Sequence, residues 1–365
     1  MIIPTVDIKS VCSSVLLAVD VSDVSAVAGA LALHCENNVL TLSVTNREYF
    51  VKISVHVLDS EDFDAVVDSQ LFLKLVSSFT AETVTLEVVG SFLVVKSNGE
   101  YKLPLIYDGK DMLKLPEIEL NNVVTDTTCD AALFKSIMIY NSKELMKDNF
   151  VLPVQQLYFV DKDGCLTFTT GACVNKFSLP ITKSLLFNSK LVKLFKLLDE
   201  EVKVQVAEDA ISQTLTQTKI RLSSGNVEIS SILFCDDSMI NTVPTGAIRN
   251  RSDKDYPCAI SVEKDMLLQS INRLMLFMNK TDVAFLGDFD LKDTVMTISI
   301  NRGAKETVFY DMVAGTDGYH FKMNLNDLKL ALDAFSSSDV ILKFGDHQAI
   351  VVVTGNISYV VPEQV

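Results

Sequence analysis

Apolar residues recur at helical spacing in two distant segments, residues 68–79 (DSQLFLKLVSSF) and residues 324–335 (NLNDLKLALDAF). Asp68 and Asn324 stand at the starts of these segments, and both residue types accept hydrogen bonds from the first backbone N–H groups of a helix. Both segments end in a phenylalanine. The pattern therefore predicts two matching amphipathic helices.

Both predicted helices are followed by three short segments that are rich in β-branched and apolar residues, which predict strands. After the first helix they are residues 84–89, 92–96 and 101–106, and after the second they are residues 340–344, 349–353 and 358–361. Asn98-Gly99 and Gly355-Asn356 mark a hairpin turn at the same place in each set. The chain therefore repeats one helix-and-strands unit.

The middle of the chain predicts a third copy, with a helix at residues 184–198 and strands at residues 202–206, 219–222 and 227–234. The intervening residues 207–218 predict an extended hairpin loop. Each copy has a partner helix about sixty residues upstream, at residues 6–19, 130–143 and 262–279. Strand-like segments at residues 39–44, 157–160 and 295–300 follow these partners.

Six such units pair into three domains, which predicts an α+β fold with domains at residues 1–122, 123–245 and 246–365. The joints fall where the periodicity stops, at residues 107–123 and 235–256, which are rich in charged and turn-forming residues. The hydrophobic content of 48% is that of a folded protein. No apolar run reaches the ~18 residues of a membrane helix, and no signal peptide is recognisable, so we expect a cytoplasmic protein without membrane contact.

Catalytic and metal-binding motifs do not stand out. The seven cysteines are scattered without C-x-x-C spacing and the four histidines are far apart, so we expect buried thiols in a reducing compartment, no metal and no cofactor. No P-loop, G-x-S-x-G or G-x-G-x-x-G is present, and the acid pairs Glu61-Asp62 and Asp236-Asp237 fall in predicted turns. An enzyme is the least favoured function class.

The net charge of −15 opposes binding of nucleic acid by bulk attraction. The charge is uneven: by count, residues 1–122 carry −9, residues 123–245 carry −2 and residues 246–365 carry −4. The helix predicted at residues 184–198 contains three lysines and no acid. Contact with nucleic acid would therefore need local basic faces or topological enclosure.

Three domains of doubled helix–strand units in this length resemble the bacterial DNA polymerase III β subunit, the DNA sliding clamp. Local similarities support the resemblance at residues 100–105 (EYKLPL), 323–329 (MNLNDLK) and 359–365 (YVVPEQV). The resemblance implies the same α+β fold class. It also implies a head-to-tail homodimeric ring with helices lining the hole and sheets outside. It also implies a processivity factor that encircles duplex DNA without reading sequence and tethers the replicative polymerase.

By the resemblance, basic side chains on polar helix faces would contact DNA phosphates weakly. These are Lys74, Lys135, Lys143, Lys190, Lys193, Lys196, Arg273 and Lys329. Solvation of ordinary helices is the alternative for each of them. Ring closure would pair Tyr101 and Leu103 of one subunit with Leu276 and Phe277 of the next, with core packing as the alternative for Leu276.

The resemblance further implies an apolar cleft where the polymerase and the clamp loader dock a short peptide. Carried over by position, the cleft would comprise Val151, Val154, Thr170, Ala172, Cys173, Val174, Met239, Asn324, Val361, Pro362 and Val365. The family's T-D-G-H-R-L loop is here TGACVN, and the methionine before the terminal proline is absent. Asp327 stands where an aromatic residue is common. These departures suggest a divergent replication system, such as that of a phage or plasmid, with its own peptide preference.

A clamp-like interaction scaffold that does not encircle DNA is the alternative function. Oligomeric state and retention on circular against linear DNA separate the two hypotheses.

Overall fold

A computed structural model describes residues 1–20, 25–58, 61–146, 150–212, 216–233, 237–278, 285–316, 318–345 and 348–362. The α-helices are α1 (Thr5–Leu16), α2 (Ser69–Ser78), α3 (Ala131–Ser136), α4 (Ser142–Leu145), α5 (Ser189–Lys193), α6 (Asp237–Ile240), α7 (Thr245–Asp253), α8 (Lys264–Met275) and α9 (Leu325–Ala334). A π-helical turn (Ile137–Asn141) joins α3 to α4, and 3₁₀ turns occur at Pro153–Gln156 and Leu194–Leu197.

The strands in the first part of the chain are β1 (Ile2–Pro4), β2 (Ala30–Glu36), β3 (Val39–Thr45), β4 (Tyr49–His56), β5 (Phe63–Asp68), β6 (Thr83–Val89), β7 (Phe92–Lys96), β8 (Glu100–Pro104), β9 (Tyr107–Asp108), β10 (Asp111–Met112), β11 (Val123–Asp130), β12 (Tyr158–Asp161) and β13 (Gly164–Phe168). The remainder are β14 (Ala172–Lys176), β15 (Leu185–Phe187), β16 (Glu201–Ala210), β17 (Thr216–Ser224), β18 (Val227–Leu233), β19 (Cys258–Glu263), β20 (Leu286–Lys292), β21 (Val295–Ser299), β22 (Lys305–Ala314), β23 (His320–Asn324), β24 (Asp339–Phe344), β25 (Ile350–Thr354) and β26 (Ile357–Val361).

The chain divides into two compact units, the first formed by residues 1–135 and 190–234 and the second by residues 136–189 and 235–365. The predicted joints at residues 107–123 and 235–256 would separate successive parts of the chain. Each compact unit instead combines segments that are distant in sequence, because their strands pair in shared sheets. The boundaries of the three predicted domains therefore stay a prediction.

The described part of the first unit contains a two-stranded antiparallel sheet, β9 with β10, and two larger antiparallel sheets. Its four-stranded sheet has the order β1-β6-β7-β8, and its eight-stranded sheet has the order β11-β16-β17-β18-β4-β3-β2-β5. The second sheet is continuous because β18 pairs with β4, with Val227 opposite Ile53 and Ser231 opposite Tyr49. Helices α1 and α2 pack against each other, and Phe72 and Phe79 are buried in the core of this unit.

The second unit is built on one twelve-stranded sheet of order β15-β12-β13-β14-β26-β25-β24-β19-β22-β21-β20-β23. Helices α8 and α9 pack against each other. The core contains Phe289, Phe321 and Phe344, and the ring centroids of Phe321 and Phe344 are 4.9 Å apart. Strand β14 pairs with β26, which brings Ala172 opposite Val360.

The repeat predicted from the sequence is visible in α2 and α9. The Asp68 carboxylate accepts a hydrogen bond from the Leu71 N–H at 2.7 Å, and the Asn324 amide oxygen accepts one from the Asn326 N–H at 2.9 Å. The next residues after the helices, Phe79 and Phe335, are both extended and buried. These caps stabilise each helix at both ends by satisfying backbone groups.

Three sequence predictions of local structure are wrong in detail. Residues 185–187 form β15 before α5 begins, although the pattern predicts a helix there. Leu185, Leu186 and Phe187 are all buried, and a continuous apolar run shows neither helical nor strand periodicity. The helix predicted from residue 262 begins at Lys264 as α8, because residues 262 and 263 belong to β19. The predicted long loop at residues 207–218 is largely strand, since β16 and β17 pair as far as Ala210 opposite Thr216.

Candidate functional site

A groove of about 570 Å³ lies in the second unit, between the β13–β14 turn, α7 and the end of β26. We call it the C-terminal groove. It is lined by Phe168, Thr169, Thr170, Gly171, Ala172, Pro244, Ile248, Arg251, Lys254, Tyr256, Gln348, Ala349, Val360 and Pro362. Its size fits a few side chains of a peptide or a small organic molecule.

The most deeply buried lining residues are apolar. Phe168, Ala172, Ile248 and Val360 are each less than 9% exposed. Two of them, Ala172 and Val360, are direct partners across the β14–β26 ladder, so their positions are set by the sheet. An apolar floor of this kind favours the burial of apolar ligand side chains.

Helix α7 forms one wall and is fastened to the sheet by a bidentate ion pair. Arg249 donates to both carboxylate oxygens of Asp161 at 2.8 and 2.7 Å, and Asp161 ends β12. This hydrogen bonding raises the pKa of the Arg249 guanidinium. The paired planar groups fix the helix more firmly than a single contact would.

The β13–β14 turn forms another side of the groove and is held in place by hydrogen bonds. The Thr169 N–H donates to the Gly171 carbonyl at 2.9 Å, and the Gln155 side chain donates to the Thr169 carbonyl at 3.2 Å. The same Gln155 accepts hydrogen bonds from the N–H groups of Val151 and Leu152 at 2.6 and 2.7 Å. One glutamine therefore holds both the β13–β14 turn and the loop around Val151.

Gln348 contributes a polar atom that lacks a partner. Its Oε1 is buried, and no described residue donates a hydrogen bond to it. The side chain lies against Gly345, where an added Cβ would be 3.3 Å from the Gln348 Cδ and 2.7 Å from the Pro257 ring. A buried acceptor without a donor is costly, so a donor from a bound ligand would be favourable here.

Of the residues predicted for a cleft, the structure places Thr170, Ala172 and Pro362 in the groove. The others do not line it: Val151, Val154, Cys173, Val174, Met239, Asn324 and Val361. Cys173 and Val361 belong to the hydrophobic core, and Asn324 caps α9. Val365 lies outside the described residues.

Five of the lining residues that the sequence did not indicate come from α7, the residue before it and the segment after it: Pro244, Ile248, Arg251, Lys254 and Tyr256. The sequence pattern predicts a joint without periodic structure at residues 235–256, yet this segment contains α6 and α7. Short polar helices give little periodic signal, and a proline before α7 was the only local indication of a helix start.

In the first unit, the predicted phosphate-contacting lysines differ in their surroundings. The Lys135 Nζ lies 3.3 Å from the Asp199 Oδ1, and the Lys190 Nζ lies 2.7 Å from the Asp20 Oδ2. Lys74, Lys193 and Lys196 are exposed. Lys135 and Lys196 both line a second depression of about 430 Å³, together with Ser13, Ser14 and residues 197–199.

In the second unit, the three predicted basic contacts are partly engaged. Arg273 forms a bidentate pair with Glu306 at 2.8 and 2.7 Å, which holds the pKa of the Glu306 carboxyl below its usual range. Lys329 donates to the Asn272 amide oxygen at 2.7 Å, which links α9 to α8. Lys143 is half-buried on α4.

The predicted subunit-interface residues are of two kinds. Leu276 and Phe277 are 83% and 58% exposed. Tyr101 is 39% exposed, and its ring centroid is 5.7 Å from that of Phe79. Leu103, by contrast, is 2% exposed and packs in the core of the first unit. Tyr101 lies on β8, one of the two edge strands of the four-stranded sheet.

No cluster of three potential metal-ligating side chains occurs among the described residues. Within the same part of the chain, no helix is long and apolar enough to cross a membrane. The described cysteines form no disulfide with one another, and most of them are buried.

Comparison with solved structures finds similarity over the full length of the chain. A sliding clamp (DNA polymerase III subunit beta) from Pseudomonas aeruginosa bound to griselimycin superposes with a TM-score of 0.82 at 15% identity, covering 100% of this chain and 99% of that one. A DNA polymerase sliding clamp from Bacillus subtilis gives 0.79 at 16% identity, covering 100% and 98%. The DNA polymerase III beta subunit from Thermotoga maritima gives 0.76 at 15% identity, again covering 100% and 98%.

No protein-family model matches the sequence, and no curated protein matches it. The structural similarity shows that the chain has the fold of the bacterial β sliding clamps. The fold class predicted from the sequence is therefore confirmed.

Proposed function

We propose that this chain, having the β-clamp fold, is a DNA sliding clamp: a non-enzymatic ring that encircles duplex DNA and tethers a replicative polymerase. The observation that carries the proposal is the full-length match to sliding clamps, with a TM-score of up to 0.82 among those named above. The ring would be a head-to-tail homodimer acting in the cytoplasm. No cofactor is required, because holding DNA by enclosure involves no bond making or breaking.

The charge distribution supports enclosure over tight binding. A chain with a net charge of −15 repels DNA as a whole. Exposed Lys74, Lys193 and Lys196 would contact phosphates weakly, and phosphate contacts carry no sequence information. A ring with few such contacts stays linked to DNA while it moves along it.

The C-terminal groove supports a tethering role, since it combines an apolar floor with convergent polar groups. We assign it to the docking of peptide segments from the polymerase and the clamp loader. Burial of two or three apolar side chains contributes about 3–9 kcal/mol, compared with the roughly 8 kcal/mol that micromolar affinity requires.

The topology of the DNA tests the proposal directly. Labelled protein is incubated with a nicked circular plasmid, a clamp loader and ATP, and the DNA is separated from unbound protein by gel filtration. We expect protein to remain with circles and to be released when a single-cutting endonuclease linearises them.

A mock digestion without the endonuclease is the control. Equal retention on circles and linear DNA, or no retention on either, would contradict the clamp and favour a scaffold that does not encircle DNA.

A further inference from the structure

The C-terminal groove is positively charged on an acidic protein. Arg251 and Lys254 line it and are exposed, and none of the described residues that line it is acidic. The whole chain carries −15. A local cationic surface on such a chain selects partners by charge at that place, since exposed charges beyond about 10 Å are largely screened.

Two described acids near the groove are paired with basic residues that do not line it. Asp161 is held by Arg249, and Asp253 of α7 contacts Lys176. Asp255 lies on the same segment but does not line the groove. Neither Arg251 nor Lys254 forms an ion pair with another described residue. Both can therefore donate hydrogen bonds to a carboxylate of a ligand.

Tyr256 organises these two cations. Its hydroxyl donates to the Arg251 carbonyl at 2.9 Å, which closes the segment after α7. Its ring centroid is 5.9 Å from the Lys254 Nζ, within reach of a cation–π contact. The two positive charges therefore stand on one ordered segment, next to the apolar floor.

Gln348, which lines the groove, carries an acceptor without a partner among the described residues. The buried Oε1 of Gln348 lacks a donor among the described residues and lies among the lining side chains. A backbone N–H of an extended segment is a suitable donor, and every peptide residue except proline provides one.

We propose that the groove takes an acidic peptide segment. Its apolar side chains would pack on Phe168, Ile248 and Val360, its carboxylates would pair with Arg251 and Lys254, and one N–H would bond to Gln348. The inference rests on the proposed function in one respect, that partner proteins dock here. It adds the chemistry of the segment and names the residues that select it.

Fluorescence anisotropy with two labelled decapeptides tests this pairing. Both peptides carry the same leucine and phenylalanine anchors, and one has three aspartates where the other has three asparagines. We expect the aspartate peptide to bind about tenfold more tightly at low salt, as two partly exposed ion pairs would give. Arg251→Glu with Lys254→Glu should remove that preference, and raised salt should reduce it.

Lys162→Glu with Lys292→Glu is the matched control, because both lysines are exposed in the second unit and lie outside the groove. It changes the net charge equally and should keep the preference. Equal binding of the two peptides, binding of neither, or equal loss in both double variants would each overturn the proposal. So would tighter binding of an oligothymidylate that depends on Arg251 and Lys254. None of these outcomes affects retention on circular DNA, so the clamp function is judged separately.

Discussion

At the scale of single residues, one carboxylate holds the segment that precedes β11. Asp209 of β16 accepts hydrogen bonds from the backbone N–H groups of Asn121 and Asn122 at 3.1 and 2.8 Å, and from the Lys219 ammonium at 2.7 Å. Lys219 also donates to the Glu119 carbonyl at 2.8 Å. A segment without periodic structure is therefore ordered by side chains of the neighbouring sheet.

Asp209→Asn tests this arrangement through pH. The Lys219 hydrogen bond, followed by the two backbone donors, holds the pKa of Asp209 below its ordinary range. A lowered folded-state pKa means that the carboxylate stabilises the fold above its ordinary pKa of about 4, and that the stabilisation is lost as the pH falls through the lower value. We expect the variant to be less stable by about 1–3 kcal/mol at pH 7.

Urea unfolding of both proteins between pH 3 and pH 8 is the measurement. The difference in the free energy of unfolding should shrink toward acid pH. A difference that stays constant with pH would show that Asp209 does not act through its charge.

At the scale of elements, the repeat extends to contacts that the sequence pattern does not reveal. The Lys9 ammonium donates to the Phe79 carbonyl at 2.5 Å, and the Lys264 ammonium donates to the Phe335 carbonyl at 3.0 Å. Each lysine comes from the partner helix and satisfies the carbonyl of the residue that follows the second helix. The two lysines occupy different positions in their helices, so sequence alignment alone would not pair them.

The β12–β13 hairpin depends on a glycine at its turn. Gly164 has φ +125°, and a Cβ there would be 2.1 Å from the Asn175 carbonyl oxygen on β14. Gly225, in the β17–β18 turn, has φ +56° and open space around it. Thermal and urea unfolding of Gly164→Ala and Gly225→Ala separate the two effects.

We expect Gly225→Ala to cost about 1 kcal/mol for the left-handed backbone, and Gly164→Ala at least ~2 kcal/mol more for the steric clash. Equal costs would mean that β14 moves aside easily, and would contradict close packing of the three strands.

At the scale of the whole molecule, the exposed apolar residues bear on assembly. Tyr101, Leu276 and Phe277 are among the large apolar side chains that remain exposed in the single chain, so their surface is available to a partner subunit. Leu103 is already buried and would act by supporting β8. The proposed homodimer would therefore depend on the three exposed side chains.

Tyr101→Ala with Phe277→Ala should convert the protein to a monomer in analytical ultracentrifugation. Each of the two interfaces of the ring loses two anchors at about 2 kcal/mol each, which raises the dimer Kd about a millionfold. The matched control is Leu58→Ala with Ile211→Ala, two apolar residues that are 68% and 57% exposed outside the predicted interface. A dimer that persists in the first variant would show that these residues do not form the interface.

The sequence by itself determined the repeated helix-and-strands unit, the caps at Asp68 and Asn324, and twelve of the 26 strands in the described residues. These features depend on residues close together in the chain, where periodicity and turn chemistry act directly. The tertiary structure decided that residues 185–187 form a strand, because burial on all sides erases the period. It also decided the lining of the C-terminal groove, since Ile248, Gln348 and Val360 meet only through the pairing of distant strands and the docking of α7.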